Sequence, residues 1–256
     1  MNERFSVSGR TALVTGAGTG LGQQFAMTLA EAGADVILAA RRVDKLEQTA
    51  AAIADHYGRK TFAVAMDVTD RASIIDGLAA AEQALGVASI VINNAGISRE
   101  AFAVDVEQAD FDAVIDTNLK GVFWVAQATA RRMIETQTQG SIVNIASILG
   151  RRVQMMLASY SAAKAGVIRM TEALALEWVR SGIRVNAIAP GFFVTDINRE
   201  FFETAHSEKL LRRIPMRRPG ERSELDGAML LLASDAGSFI TGSTITVDGG
   251  HSCNPL

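Results

Sequence analysis

A chain of 256 residues, 48% apolar and 21% charged, has the size and composition of one large α/β domain and is neither disordered nor fibrous. Its net charge of -3 gives no global positive field to hold nucleic acid or an anionic membrane, and no stretch approaches the ~18 uninterrupted apolar residues of a membrane span. The opening from Met1 to Arg10 is too polar for a secretory leader and the lone Cys253 has no disulfide partner, so one cytoplasmic domain over 1–256 is expected.

In chain order, Thr11 to Val14 is the first β-type run; it ends in a glycine-rich turn and leads into helical periodicity over 21–32. Further apolar runs follow at Val36 to Ala39, Phe62 to Met66, Ile90 to Ile92, Ile142 to Ile145, Ile183 to Ile188 and Thr244 to Val247. Helical spacing fills 43–57, 70–85, 107–136, 159–181 and 223–233, with a shorter candidate near 199–212. Strands alternating with helices require right-handed crossovers, which predicts a Rossmann-like, doubly wound, seven-stranded parallel sheet with helices on both faces. Only 190–222, interrupted by Pro190, Pro215 and Pro219, reads as irregular, and it is the expected substrate lid. None of His56, His206 and His251 has a Cys or His at helical ligand spacing, so no metal site is expected.

The turn from Thr15 to Gly22 fits G-x-x-x-G-x-G at Gly16, Gly20 and Gly22; the alternative G-x-G-x-x-G would need glycine where Leu21 stands. Lying between a strand and a helix, it points to a dinucleotide whose phosphates meet a helix N-terminus. A P-loop is disfavoured because no Gly-Lys-Ser/Thr follows. About 20 residues beyond such a turn, an acidic side chain usually bonds the adenosine ribose. Here Ala40 holds that position and Arg41 follows. A guanidinium suits a 2′-phosphate, so NADP(H) is expected to be preferred, with NAD(H) still possible and Asp44 weakening the field.

Tyr160 and Lys164 stand four residues apart and share a helix face. A positive charge about 5 Å away, at an effective dielectric of about 20, lowers a phenol's pKa from near 10 by roughly two. The spacing therefore predicts a phenol tuned downward for acid/base work. Ser147 closes the strand beginning at Ile142, at the carboxyl end of the sheet, where ligands bind; it is either a holder of substrate oxygen or a plain turn former.

Together, Thr15 to Gly22, Asp67-Val68, Asn93 to Gly96, Asn118, Ser147, Tyr160 with Lys164, Pro190-Gly191 and Thr195 resemble the short-chain dehydrogenase/reductase family in its single-domain branch, across Gly9 to Gly250. The resemblance implies a catalytic set of Asn118, Ser147, Tyr160 and Lys164: Tyr160 gives the proton, Ser147 holds the oxygen, Lys164 also binds ribose, and Asn118 holds a relay water. It implies cofactor contacts along Gly16, Gly18, Thr19, Gly20, Leu21 and Gly22, with Asp67 and Val68 at the adenine. Asn94, Ala95 and Gly96 would lie under the adenosine side and Phe193 and Thr195 near the carboxamide, with Pro190, Gly191, Tyr160 and Lys164 also among the cofactor contacts. Thr19 stands where many NADP-dependent relatives carry a basic residue. A homotetramer pairing 107–136 with 159–181 is also implied, unless their apolar faces only pack on their own sheet.

The expected activity is hydride transfer between a nicotinamide cofactor and a small-molecule ketone or secondary alcohol. An NADPH-dependent carbonyl reductase of the 3-oxoacyl type is the main reading, with a sugar-acid or polyol dehydrogenase as the alternative. A regulator that only binds cofactor would not need Ser147, Tyr160 and Lys164. Met155, Met156, Phe192 and Phe193 are read either as an apolar pocket or as plain core. Arg151-Arg152, Arg212-Arg213 and Arg217-Arg218 favour an anionic or carrier-linked substrate unless they are simply solvated. Carrier-protein reductases of the family often have arginine where Ser141 and Leu176 stand here, which weighs against an acyl carrier.

Overall fold

The computed structural model describes residues 3–195, 199–202 and 207–253. Two pieces of the expected lid, 196–198 and 203–206 with His206, lie outside the described residues. Seven strands form: β1 (Thr11–Thr15), β2 (Asp35–Ala40), β3 (Thr61–Ala65), β4 (Ile90–Asn93), β5 (Gly140–Ile145), β6 (Ile183–Pro190) and β7 (Thr244–Val247). All pair in parallel, in the order β3-β2-β1-β4-β5-β6-β7.

The helices are α1 (Gly20–Glu31), α2 (Val43–Tyr57), α3 (Arg71–Leu85), α4 (Gln108–Ile115), α5 (Val122–Glu135), α6 (Ala158–Trp178), α7 (Arg199–Phe202), α8 (Glu208–Leu211) and α9 (Asp226–Ala233). Successive strand side chains point to opposite faces, and β1 shows it: Val14 joins Phe25, Leu29, Leu46 and Met229 under α1, α2 and α9. Leu13 instead joins Ile74, Val125, Met133 and Leu174 under α3, α5 and α6. A sheet covered on both faces explains why its strands read as apolar runs rather than alternations. Among the described residues, no helix is long and apolar enough to cross a membrane.

Three helical readings need correction. The single helix expected over 107–136 is α4 and α5 joined by a π-helical turn, Asp116–Gly121, where one extra residue per turn is accommodated. Asn118, in that turn, has its side chain drawn inward onto the backbone of Ile97. The 223–233 helix opens as a 3-10 turn, Arg222–Leu225, before α9. The 199–212 candidate gives only the short α7 and α8 among the described residues.

Candidate functional site

The strand order reverses between β1 and β4, and in such sheets the crevice beyond the carboxyl ends at that point receives ligands. A cleft of about 470 Å³ lies there. It is lined by the residues following β1 (Gly16, Gly18, Thr19, Gly20, Leu21), β2 (Arg41), β3 (Asp67, Val68) and β4 (Asn94, Ala95, Gly96), together with Thr195. Twelve of the residues singled out from the sequence thus meet on one surface. Thr19, the N-cap of α1, makes no side-chain cap bond, so the first turn of α1 presents backbone N–H groups for an anion.

Gly22 does not line the cleft but shapes it. A Cβ there would lie 2.1 Å from the Gly16 oxygen and 2.6 Å from Asn94 Nδ2, so only glycine lets α1 close on the turn. Thr15, which the sequence reading did not select, ties the turn to β4. Its Oγ1 accepts from the N–H groups of Asn94 and Ala95, both at 3.1 Å. Asn94 Nδ2 in turn donates to the Thr15 oxygen at 3.1 Å. Pro190, Gly191 and Phe193 do not line the cleft. Pro190 ends β6, Gly191 packs against Asp248, and the buried Phe193 ring covers Gly220.

One end of the cleft is cationic. Arg42 and Lys45 join Arg41 in its wall, and neither was selected from the sequence. Lys45 reaches the glycine turn because residue 18 has no side chain: a Cβ on Gly18 would sit 2.9 Å from Lys45 Cβ. Burial pushes the Asp67 carboxyl up, but two hydrogen bonds from Thr69 and the Arg41 charge outweigh it and hold it below its ordinary value. A tight glycine turn and an uncapped helix N-terminus fit the pyrophosphate of a dinucleotide, and three cations give one end of the cleft a positive field.

Asn118, Ser147, Tyr160 and Lys164 gather near the carboxyl ends of β4 and β5. Asn118 is fully buried, and both ends of its amide are taken by Ile97: Nδ2 donates to the Ile97 oxygen and Oδ1 accepts from the Ile97 N–H, each at 2.8 Å. Ser147 caps the 3-10 turn Ile148–Gly150, its Oγ accepting from Leu149 N–H at 3.1 Å, and it hydrogen-bonds Tyr160. Lys164 is buried, donates to the Ile145 oxygen at 2.8 Å, and lies 5.6 Å from the Tyr160 ring centre.

The tuning expected from the Tyr160–Lys164 spacing differs in the structure. Burial pushes the Tyr160 phenol up, and the Ser147 hydrogen bond offsets part of this. Burial also lowers Lys164 to about 8. The ammonium is aimed at a strand carbonyl rather than at the phenol oxygen, and desolvation outweighs it. Below the site, Asn93 Nδ2 donates to Asn144 Oδ1 and Asn144 Nδ2 donates to Thr171 Oγ1, both at 2.9 Å. This buried polar chain, unsuspected from the sequence, ties β4 and β5 to α6.

Beside Ser147, through Ile148 and Leu149, opens a second cavity of about 980 Å³. Met155, Met156 and Phe192 line it as expected of an apolar pocket, and Arg152 and Arg213 add charge. Three of the others are engaged elsewhere: Arg212 with Glu208, Arg218 with Glu224, and Arg217 with the Arg212 oxygen. Ser141 is buried and bonds the Leu232 oxygen at 2.7 Å, so that position bears on no carrier surface, whereas Leu176, the other position of the argument, is 81% exposed on α6. Among the described residues, no group of three His, Cys, Asp or Glu is placed to hold a metal.

Comparison with known proteins gives a consistent picture. The short chain dehydrogenase family model matches residues 10–206. Gluconate 5-dehydrogenase of Gluconobacter oxydans (strain 621H) is 39% identical, with 96% of each chain covered. A 3-oxoacyl-[acyl-carrier-protein] reductase of Thermotoga maritima is also 39% identical, over 95% of this chain and 98% of its own. The crystal structure of a gluconate 5-dehydrogenase from Burkholderia cenocepacia J2315, in complex with NADP and tartrate, superposes with a TM-score of 0.93 at 38% identity, covering 98% of each chain.

Proposed function

The chain belongs to the short-chain dehydrogenase family and is an oxidoreductase acting on CH–OH groups, and we propose that Tyr160 is its acid/base, with NADP(H) the preferred cofactor. The observation that carries this reading is the Ser147–Tyr160 hydrogen bond beside the buried Lys164, next to a cleft with three cations at one end.

The nicotinamide supplies or accepts the hydride. In the reducing direction Tyr160 gives its proton to the substrate oxygen, and a phenol raised by burial arrives protonated at neutral pH. Ser147, its Oγ lone pair engaged by Leu149 N–H, turns its own hydrogen toward oxygen acceptors. Lys164, held by Ile145, fixes the floor on which ribose hydroxyls would lie. Since Ile97 takes the whole Asn118 amide, a proton-relay water would bond the main-chain oxygen of Asn118 rather than its side chain. Arg41, with Arg42 and Lys45, would meet a 2′-phosphate, while Gly16, Gly20 and the α1 N-terminus receive the pyrophosphate.

The proposal extends to a single domain, with 190–222 as the substrate lid, and to a cytoplasmic homotetramer. Apolar Phe111, Ile134 and Leu176 (the last 81% exposed) lie on α4, α5 and α6, which supports helix pairing between copies. Light scattering that gave a monomer at micromolar concentration would refute the tetramer. The activity is tested by following cofactor absorbance with a ketone panel. Tyr160→Phe should retain NADPH binding and lose about 10²–10⁴-fold in kcat. A variant retaining more than about a tenth of wild-type kcat would remove Tyr160 from its role.

A further inference from the structure

The second cavity has a polarity that hydride transfer alone does not require. Most of its wall is apolar, yet Arg152 and, from α8 and the turn that ends it, Lys209 and Arg213 line it against one carboxylate, Glu100. Arg152 is the best positioned of them. Its Nη1 donates to the main-chain oxygens of His251 at 3.3 Å and Ser252 at 3.0 Å, which anchors the guanidinium to the segment after β7. Its Nε and Nη2, the edge that pairs two-for-two with a carboxylate, donate to nothing among the described residues.

Arg152 also lies close to the chemistry. Its N–H donates to the Ile148 oxygen at 2.8 Å, so a single tight turn separates it from Ser147. An anion held there would belong to a substrate whose acid group is joined to its reacting carbon by a short chain. The phosphate of a carrier-linked acyl arm lies much farther from its reacting carbonyl. Met155, Met156 and Phe192 make this part of the wall apolar. Met155 is 81% exposed and Arg152 is exposed, so the pairing comes from the planar fork of the guanidinium rather than from exclusion of water. The His251 ring stacks on Phe192 at 5.6 Å between centres. Burial, with Arg152 and Arg213 nearby, outweighs Asp248 and lowers the pKa of the imidazole, which packs here as part of the wall.

We infer that this cavity is a carboxylate subsite: the substrate is a small hydroxy acid or its keto acid, whose carboxylate is paired by Arg152. This rests on the hydride-transfer reading and selects among its substrates. The test pairs acids with uncharged counterparts of similar skeleton, namely gluconate with glucitol and 3-hydroxybutyrate with butane-1,3-diol, and adds an uncharged 3-oxoacyl thioester. Cofactor absorbance is followed with wild type, Arg152→Ala and Arg152→Lys, and binding of each acid to the NADP-loaded protein is measured by calorimetry.

At least one acid should exceed its counterpart by about tenfold or more in kcat/KM. Arg152→Ala should raise that acid's KM by about tenfold or more while kcat changes by less than about threefold, and Arg152→Lys should recover part of the loss. Preference for the thioester or the polyols, or acid binding that Arg152→Ala leaves unchanged, would overturn the subsite while hydride transfer stands. Acid binding weakened in Arg152→Ala without any turnover would support the subsite and overturn the hydride reading instead.

Discussion

Lys164 donates to the Ile145 main-chain oxygen at 2.8 Å, while its Nζ stands 5.6 Å from the centre of the Tyr160 ring. The ammonium is thus fastened to the sheet rather than to the phenol, and burial brings its pKa down to about 8. In the unfolded chain a lysine titrates near its ordinary ~10.4. Between these values the unfolded chain holds more protons than the folded one, so stability rises with pH in that window. Below pH 8 both states are charged and the burial penalty is fully present. Urea unfolding should show wild type gaining on Lys164→Met from pH 8 to pH 10; a pH-independent difference would contradict the assignment.

The raised Tyr160 phenol makes the two directions of the reaction respond differently to pH. Carbonyl reduction needs the phenol protonated, and its rate should be level across neutral pH. Alcohol oxidation needs a phenolate, and its kcat/KM should climb about tenfold per pH unit toward alkaline pH before levelling. An oxidation profile flat from pH 6 to about 9 would mean that another group accepts the proton.

Arg41 and Lys45 approach the same end of the cleft from the end of β2 and the start of α2. Arg41→Ala should raise the Kd for NADPH by about tenfold or more, since a charge-assisted contact is worth about 1.5–3 kcal/mol, and change that for NADH little. Lys45→Ala should act in the same direction by about threefold, with an effect that shrinks as salt rises. Fluorescence titration of both cofactors checks this, and equal losses for the two would show that the cations do not read the 2′-phosphate.

Thr15→Val keeps the shape of a side chain only 2% exposed but leaves the Asn94 and Ala95 N–H groups without their acceptor. Unmet buried donors cost about 1–3 kcal/mol each, so thermal or denaturant unfolding should show a loss of about 2–6 kcal/mol. Gly22→Ala should be at least as damaging, because its Cβ meets backbone rather than a movable side chain.

The sheet was readable because strands covered on both faces are written as continuous apolar runs, and every strand lies within two residues of its expected bounds. The glycine turn was readable for a similar reason, since close backbone approach leaves a compositional mark. What escaped depends on direction rather than on spacing. The four-position spacing of Tyr160 and Lys164 gave a distance but not the Ile145 carbonyl that claims the ammonium, nor the burial that governs both groups. Lys45 escaped because its place in the cleft depends on an empty Cβ position at Gly18, on a different element. Asn118 could be named, but not the π turn that carries it, because apolar periodicity on either side continues as if the helix were regular.

That π turn also sets a rule about length. Removing one residue from Asp116–Gly121 would take out the residue that the π turn absorbs, letting α4 and α5 fuse into one regular helix with their buried faces still in phase but without the wide turn that carries Asn118. Val125, Ala126 and Met133 would keep their buried face, while the Asn118 amide would lose its hold on the Ile97 backbone. Lys120, on the exposed side of the turn, can change freely in identity. The number of residues there cannot, so sequences descended along this lineage should vary in letters through 116–121 and almost never in gaps.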